Sequence, residues 1–152
     1  MSELTHLDDL GAARMVDVGA KKPQRRSARA MGIIRLLPAT CEQIRANTIA
    51  KGNVLTVAQI AGIQAAKRTG ELIPLCHPLG LDHVDVALEL GDAGLMATGA
   101  ASCTGRTGVE MEALVAVSVA LLTVYDMCKA IDQQMSIGPI ALLEKVKFDD
   151  AG

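Results

Sequence analysis

The run from Ala113 to Tyr125 restricts the fold of this chain more than any other stretch. Only Ser118 and Thr123 interrupt its apolar residues, and no polar face recurs at helical spacing. A helix that is apolar almost all the way round must be covered on more than one side. A single sheet covers one side only, so a further packing element is required, and a second subunit is the simplest candidate. The run is too short to cross a bilayer, which takes about 20 apolar residues. The expectation is a buried helix over roughly 108–132 in an oligomeric protein.

The flanking patterns supply the remaining elements. Val84, Val86, Leu88 and Leu90 alternate with His83, Asp85 and Glu89, which predicts a strand over 82–90. Gly91-Asp92-Ala93-Gly94 turns the chain into a hairpin partner over 95–104. A first strand is expected at 28–37, ended by Pro38, and a last one from Ile137 to Val146. Ala39 to Ile49 form a short helix. After the break at Lys51-Gly52-Asn53, Asn53 caps a second helix running to Arg68 with a stripe of Val54, Val57, Ala58, Ala61 and Ala65. The order is βαββαβ with the first helix split in two. It predicts a ferredoxin-like α+β fold, a four-stranded antiparallel sheet with helices on one face. Residues 1–27 form a polar arm whose Lys21, Lys22, Arg25 and Arg26 are either simply solvated or close over an anionic ligand. Residues 28–148 form a single catalytic domain, and 149–152 a short tail.

Composition narrows the partners. The chain of 152 residues carries a formal charge of −2, no Trp, one Tyr and one Phe. Aromatic stacking platforms and a broad basic footprint are both missing, which argues against nucleic-acid binding. Cys41, Cys76, Cys103 and Cys128 show no paired spacing and are expected to be reduced thiols. The N-terminus has no basic segment followed by an apolar one, so a cytoplasmic, soluble protein that binds no membrane is expected.

Three segments carry candidate chemistry. In Arg68-Thr69-Gly70-Glu71-Leu72-Ile73-Pro74-Leu75-Cys76-His77-Pro78-Leu79 a thiol and an imidazole lie between two prolines, which hold them on a stiff non-helical loop. Adjacent residues seldom face each other as a nucleophile pair, so His77 is better cast as a hydrogen-bond donor or proton shuttle. Gly105-Arg106-Thr107-Gly108 leads into Glu110 and Glu112, with Met111 between them. This resembles an anion cradle without the P-loop spacing. Two glutamates there also repel phosphate, while complementing the helix dipole, so this end suits a base or sugar. Asp126 and Lys129 share a helix face near the other end and fit either an acid–base pair or a surface ion pair worth about 0.3–0.5 kcal/mol. Lys51, before a helix start, fits a phosphate clamp. Lys67 and Arg68 either bind a ligand or satisfy helix C-terminal carbonyls. Cys76, His77 and His83 lack the spacing of a zinc site, and no metal is expected. Glu112 and Asp126 are about 21 Å apart along one helix. If both act, an antiparallel partner helix has to bring one subunit's Asp126 near the other's Glu112.

Taken together, Leu4-Thr5-His6-Leu7, Met15-Val16-Asp17-Val18, Ile60-Ala61-Gly62-Ile63-Gln64-Ala65-Ala66-Lys67-Arg68-Thr69, Leu72 to Leu79, Thr104 to Leu114 and Tyr125-Asp126-Met127-Cys128-Lys129-Ala130 closely resemble the cyclic pyranopterin monophosphate synthase family, MoaC in bacteria. The resemblance runs from about residue 4 to about residue 145. It implies a substrate made by a radical S-adenosylmethionine GTP cyclase, the cyclised dihydro-GTP nucleotide, rearranged to cyclic pyranopterin monophosphate with loss of pyrophosphate during molybdenum cofactor biosynthesis. It implies Asp126 as catalytic acid–base and Lys51 and Lys129 in triphosphate handling and proton transfer. Leu75, Cys76, His77, Met111 and Glu112 then contact substrate, with Glu110 and Lys67 as further candidates. It also implies no cofactor, and a homohexamer of three dimers with sites between subunits. The chain departs from the family's habit at Gly19 (often Ser), at Asn53 (often Asp) and in ending at Lys145 to Gly152 where members commonly continue into a Gly-, Ser- and Lys-containing tail. Two other readings remain: a non-catalytic nucleotide-binding regulator on the same fold, and a metal-dependent hydrolase using Cys76, His77 and His83.

Overall fold

A computed structural model describes residues 6–149; Leu4 and Thr5 of the arm and residues 150–152 of the tail lie outside the described residues. The elements are β1 (Gln24–Arg35), α1 (Pro38–Arg45), α2 (Val54–Lys67), α3 (Thr69–Leu72), β2 (His83–Leu90), β3 (Gly94–Gly105), α4 (Glu110–Cys128) and β4 (Ser136–Lys147). The strands form one antiparallel sheet in the order β2-β3-β1-β4. That is the ferredoxin-like α+β arrangement, with β1 and β3 central.

Side-chain size explains how the helices sit on the sheet. The inward positions of β1 are Ala28, Ala30, Gly32 and Ile34, and those of β3 include Leu95, Ala97, Gly99, Ala101 and Cys103. The small residues let α4 approach closely. A Cβ at Gly32 would lie 2.8 Å from Leu121 and Val117, and one at Gly99 would lie 2.9 Å from the Ala113 carbonyl. Across α4, α2 packs through Ala58, Gly62, Ala65 and Ala66, all buried. Gly62 stands where a Cβ would meet the Ala116 carbonyl oxygen at 2.7 Å.

Several boundaries differ from the sequence expectations. The first strand starts at Gln24 rather than residue 28, because pairing to β3 on one side and β4 on the other extends through Arg26. Arg25 and Arg26 therefore belong to the sheet, Arg25 lying over the Phe148 ring and Arg26 donating to the Gly105 carbonyl. α1 ends early, at Arg45, before Asn47 adopts a left-handed φ of 55°. Val57 is exposed rather than part of the packed stripe. Gly62 and Ala66 take its place, because α2 crosses α4 too closely for branched side chains.

The all-round apolar helix finds its second cover inside the chain. α2 shields the flank that the sequence left to another subunit, and the large side chains still exposed on α4 are Leu122 and Tyr125. At 19 residues α4 is long and apolar enough to cross a membrane, longer than the run alone suggested. Val117, Ala120, Leu121 and Val124 are nonetheless wholly buried in the domain, which makes it a core helix.

Candidate active site

Two groups of functional side chains lie at opposite ends of α4. At its C-terminal end the meeting of α2 and α4 brings three charged residues together. Gly52, with φ at 115°, allows the tight turn that presents Lys51. Asn53 then caps α2, its side chain accepting from the Thr56 N–H at 3.0 Å. Lys51 Nζ donates to Asp126 Oδ2 at 2.8 Å and to the Asp126 carbonyl at 3.0 Å. Lys129 Nζ reaches Asp126 Oδ1, also at 2.8 Å. Hydrogen bonds from Lys129 and then Lys51 hold the Asp126 carboxyl down to about 2, and the Lys129 ammonium is in turn raised by Asp126. Two ammonium groups around one carboxylate leave a net positive charge with spare N–H donors. All three side chains reach solvent.

At the N-terminal end, the loop after α3 faces the first turn of α4. Leu75, Cys76, His77, Leu79, Thr107, Gly108, Glu110, Met111 and Glu112 line a half-open cleft of about 450 Å³ together with His6, Val16, Val18 and Lys21 of the arm. His77 Nε2 lies 2.6 Å from the Val16 carbonyl. A carbonyl only accepts, so Nε2 carries the proton and Nδ1 is left free to take one. Glu112 is buried, and burial pushes its carboxyl above the usual range. Burial pushes Glu110 up as well, but the Lys145 hydrogen bond, its own backbone N–H and the charges of Lys145 and Arg26 together outweigh it and leave that carboxyl below the usual range. The two glutamates, two residues apart, thus differ in proton affinity: one stays an acceptor while the other more readily holds a proton and donates. Burial, then Glu112 and Glu110, push the Cys76 thiol up, so it is a poor thiolate nucleophile.

Lys51, Asp126 and Lys129 are thus brought together, as are Leu75, Cys76, His77, Glu110, Met111 and Glu112. Lys67 is not part of either cluster. It lines two neighbouring hollows, one with Asp82 and His83 and one whose wall includes Glu112. His83 is absent from the wall that holds Cys76 and His77, and among the described residues no group of three or more His, Cys, Asp or Glu is placed to hold a metal ion.

Three features escape sequence reasoning. Lys145 as partner of Glu110 depends on β4 lying beside β1, a long-range pairing. The bond from Lys51 to Asp126 spans 75 positions and depends on how α2 meets α4. Asp132 is buried, accepting from the Leu37 and Gln134 N–H groups and the Thr40 hydroxyl. Its only sequence signal is an acidic residue just past a helix end.

A ferredoxin-like domain with a half-enclosed cleft of mixed apolar and charged lining and a separate lysine–carboxylate cluster has the parts of a small-molecule site. A model of the MoaC family matches residues 15–147. The cyclic pyranopterin monophosphate synthase of Novosphingobium aromaticivorans is 58% identical over 145 residues, covering 95% of this chain and 92% of its own. That of Roseiflexus sp. is 55% identical over 147 residues, covering 95% and 93%. Cyclic pyranopterin monophosphate synthase 3 of Mycobacterium bovis is 59% identical over 143 residues, covering 93% and 81%. The chain belongs to the MoaC family.

Proposed function

We propose that this protein is a cyclic pyranopterin monophosphate synthase, a phosphorus–oxygen lyase of molybdenum cofactor biosynthesis. It converts the cyclised dihydro-GTP nucleotide into cyclic pyranopterin monophosphate and releases pyrophosphate. The observation that carries this reading is the Asp126 carboxylate gripped by Lys51 and Lys129 at 2.8 Å each, in a chain whose relatives bear that name over nearly their whole length.

The arrangement suits the chemistry. Closing the cyclic phosphate needs a substrate hydroxyl to attack the α-phosphorus while pyrophosphate departs, and lysines that neutralise the departing charge assist it. Asp126 held at about 2 is a weak base while both ammonium groups bind it. A triphosphate draws those ammonium groups onto itself, which returns Asp126 toward its ordinary value of 3.8 and strengthens it as a base once substrate is in place. At the other end, Glu110 and Glu112 face the heterocycle, Glu112 with the higher proton affinity of the two, Leu75, Cys76 and Met111 frame it, and His77 Nδ1 relays a proton. Lys67 and Arg68 add positive charge in a hollow whose wall also includes Glu71 and Glu112.

Glu112 and Asp126 are about 21 Å apart along α4, too far for one nucleotide to use both within one chain. The complete site therefore forms between subunits, and membership of the family implies that the assembly is a cytoplasmic homohexamer of three dimers. No cofactor is invoked. The test combines GTP, a radical S-adenosylmethionine GTP cyclase and this protein, with oxidised pterin read by fluorescence. Product from the native chain and none from folded Asp126→Asn supports the reading. No product from a well-folded native oligomer given verified cyclised nucleotide overturns it in favour of a non-catalytic nucleotide-binding regulator.

A further inference from the structure

We propose that Asp132 is a positioning residue for the Lys51–Asp126–Lys129 cluster, its buried carboxylate clamping the segment that follows α4 to the start of α1. The inference rests on the reading of that cluster as catalytic.

Asp132 is 1% exposed and makes no ion pair among the described residues. A buried carboxylate without a cation must be held by hydrogen bonds. Oδ2 accepts from the Leu37 N–H at 2.8 Å and the Thr40 hydroxyl at 3.0 Å, and Oδ1 accepts from the Gln134 N–H at 3.1 Å. Leu37 is the N-cap of α1 and has no side-chain acceptor of its own. Asp132 supplies negative charge to that helix end from 95 positions away.

Both segments that carry the cluster start from this clamp. On one side, the Asp132 and Ile131 N–H groups each donate to the Cys128 carbonyl at 3.0 Å, and the Lys129 N–H to Tyr125 at 3.0 Å. Lys129 thus lies between the end of α4 and the clamp. On the other side, α1 has eight residues, too few to stand unaided. From it a chain of tight turns leads to Lys51: Thr48 N–H to Gln43, then Gly52 N–H to Ile49, whose side chain is buried. Fixing the start of α1 fixes where Lys51 emerges, and fixing residue 132 fixes where Lys129 emerges. Lys51 and Lys129 are the groups that grip Asp126.

Asp132→Asn tests this. The amide keeps the shape but places an NH2 group against donors, so the clamp loosens. With carboxyl-labelled aspartate, the Asp126 carbon signal is followed by NMR without substrate. At pH 4 a carboxyl at about 2 is about 1% protonated, whereas one returned to its ordinary 3.8 is about 40% protonated. Asp132→Asn is expected to raise the protonated fraction at least severalfold and to lower kcat on the order of tenfold with a smaller change in KM. Thr69→Ala, which removes a buried hydroxyl donating to the Ala66 carbonyl at the opposite end of α2 from Lys51, supplies a variant of reduced stability whose Asp126 titration stays native. If Asp132→Asn does not fold, Thr40→Val removes one of the three donors at nearly constant volume and shifts the titration in the same direction. A native Asp126 titration in the folded variant overturns the proposal. Because the titration needs no substrate, its failure is separate from a failure of the synthase reading.

Discussion

Gly62 is the tightest point between α2 and α4, and replacing it by alanine perturbs both stability and the site. The added Cβ would stand 2.7 Å from the Ala116 carbonyl oxygen, and 3.2 Å from both Ala120 Cβ and Val86 Cγ2. The closest atom is backbone, so no side-chain rotation relieves it. The helices must part by roughly 0.7 Å to reach an ordinary contact of 3.4 Å. Overpacking of this kind costs about 1–3 kcal/mol. Replacing a mid-helix glycine by alanine recovers up to about 1 kcal/mol of helix propensity. At the centre of these ranges the net loss is about 1 kcal/mol, which lowers Tm by about 2–4 °C for a domain of this size. Lys51 precedes α2 and Asp126 lies on α4, so parting the helices also stretches the 2.8 Å contact between them. Calorimetry of Gly62→Ala beside the native protein, with product formation measured well below both transitions, reads both effects. A Tm equal to or above native would refute the close-packing argument, since propensity alone would then govern the site.

Further outcomes follow from the same contacts. Glu112 has a raised carboxyl pKa in the folded state, so its contribution to stability is present below about pH 4.5 and is lost as pH rises through the folded value. Glu112→Gln should therefore gain Tm relative to native between pH 5 and pH 8, and equal Tm differences across that range would contradict it. Asn53→Ala should cost about 1 kcal/mol through loss of the α2 cap, whereas Asn53→Asp should be neutral or better because it accepts the same Thr56 N–H and suits the helix dipole; denaturant midpoints decide. Cys76, with its thiol pKa raised by burial and then by Glu112 and Glu110, should alkylate more slowly at pH 7 than a free cysteine and accelerate toward pH 10. Rapid labelling at neutral pH would reveal a thiolate that this structure does not account for.

Much of the fold was legible because local patterns and global packing agree. The alternation in 82–90 and the Gly91–Gly94 turn gave a hairpin whose strands are paired from Leu90–Leu95 to His83–Ser102. Asn53 announced the start of α2. What local pattern cannot carry is partner identity. Polar Arg25 and Arg26 looked like part of an arm, yet flanking strands draw them into β1. The apolar helix demanded a second cover, but only the small residues Ala58, Gly62, Ala65 and Ala66, read together as a contact surface, point to α2. For the site, residue types and segments were legible; the link from Lys51 to Asp126 and the Asp132 clamp were not, because each joins positions far apart in the chain.

The central claim is that the two ends of α4 serve one reaction only when they come from different subunits. It is tested by mixing two inactive variants, Asp126→Asn from the C-terminal cluster and His77→Ala from the cleft, after dissociating and reassembling the oligomer. If the site spans a two-fold interface, equal mixing leaves roughly a quarter of the sites with both native halves, and about that share of native turnover should return. Mixed oligomers as inactive as their parents would show that each chain carries a complete site and contradict the account.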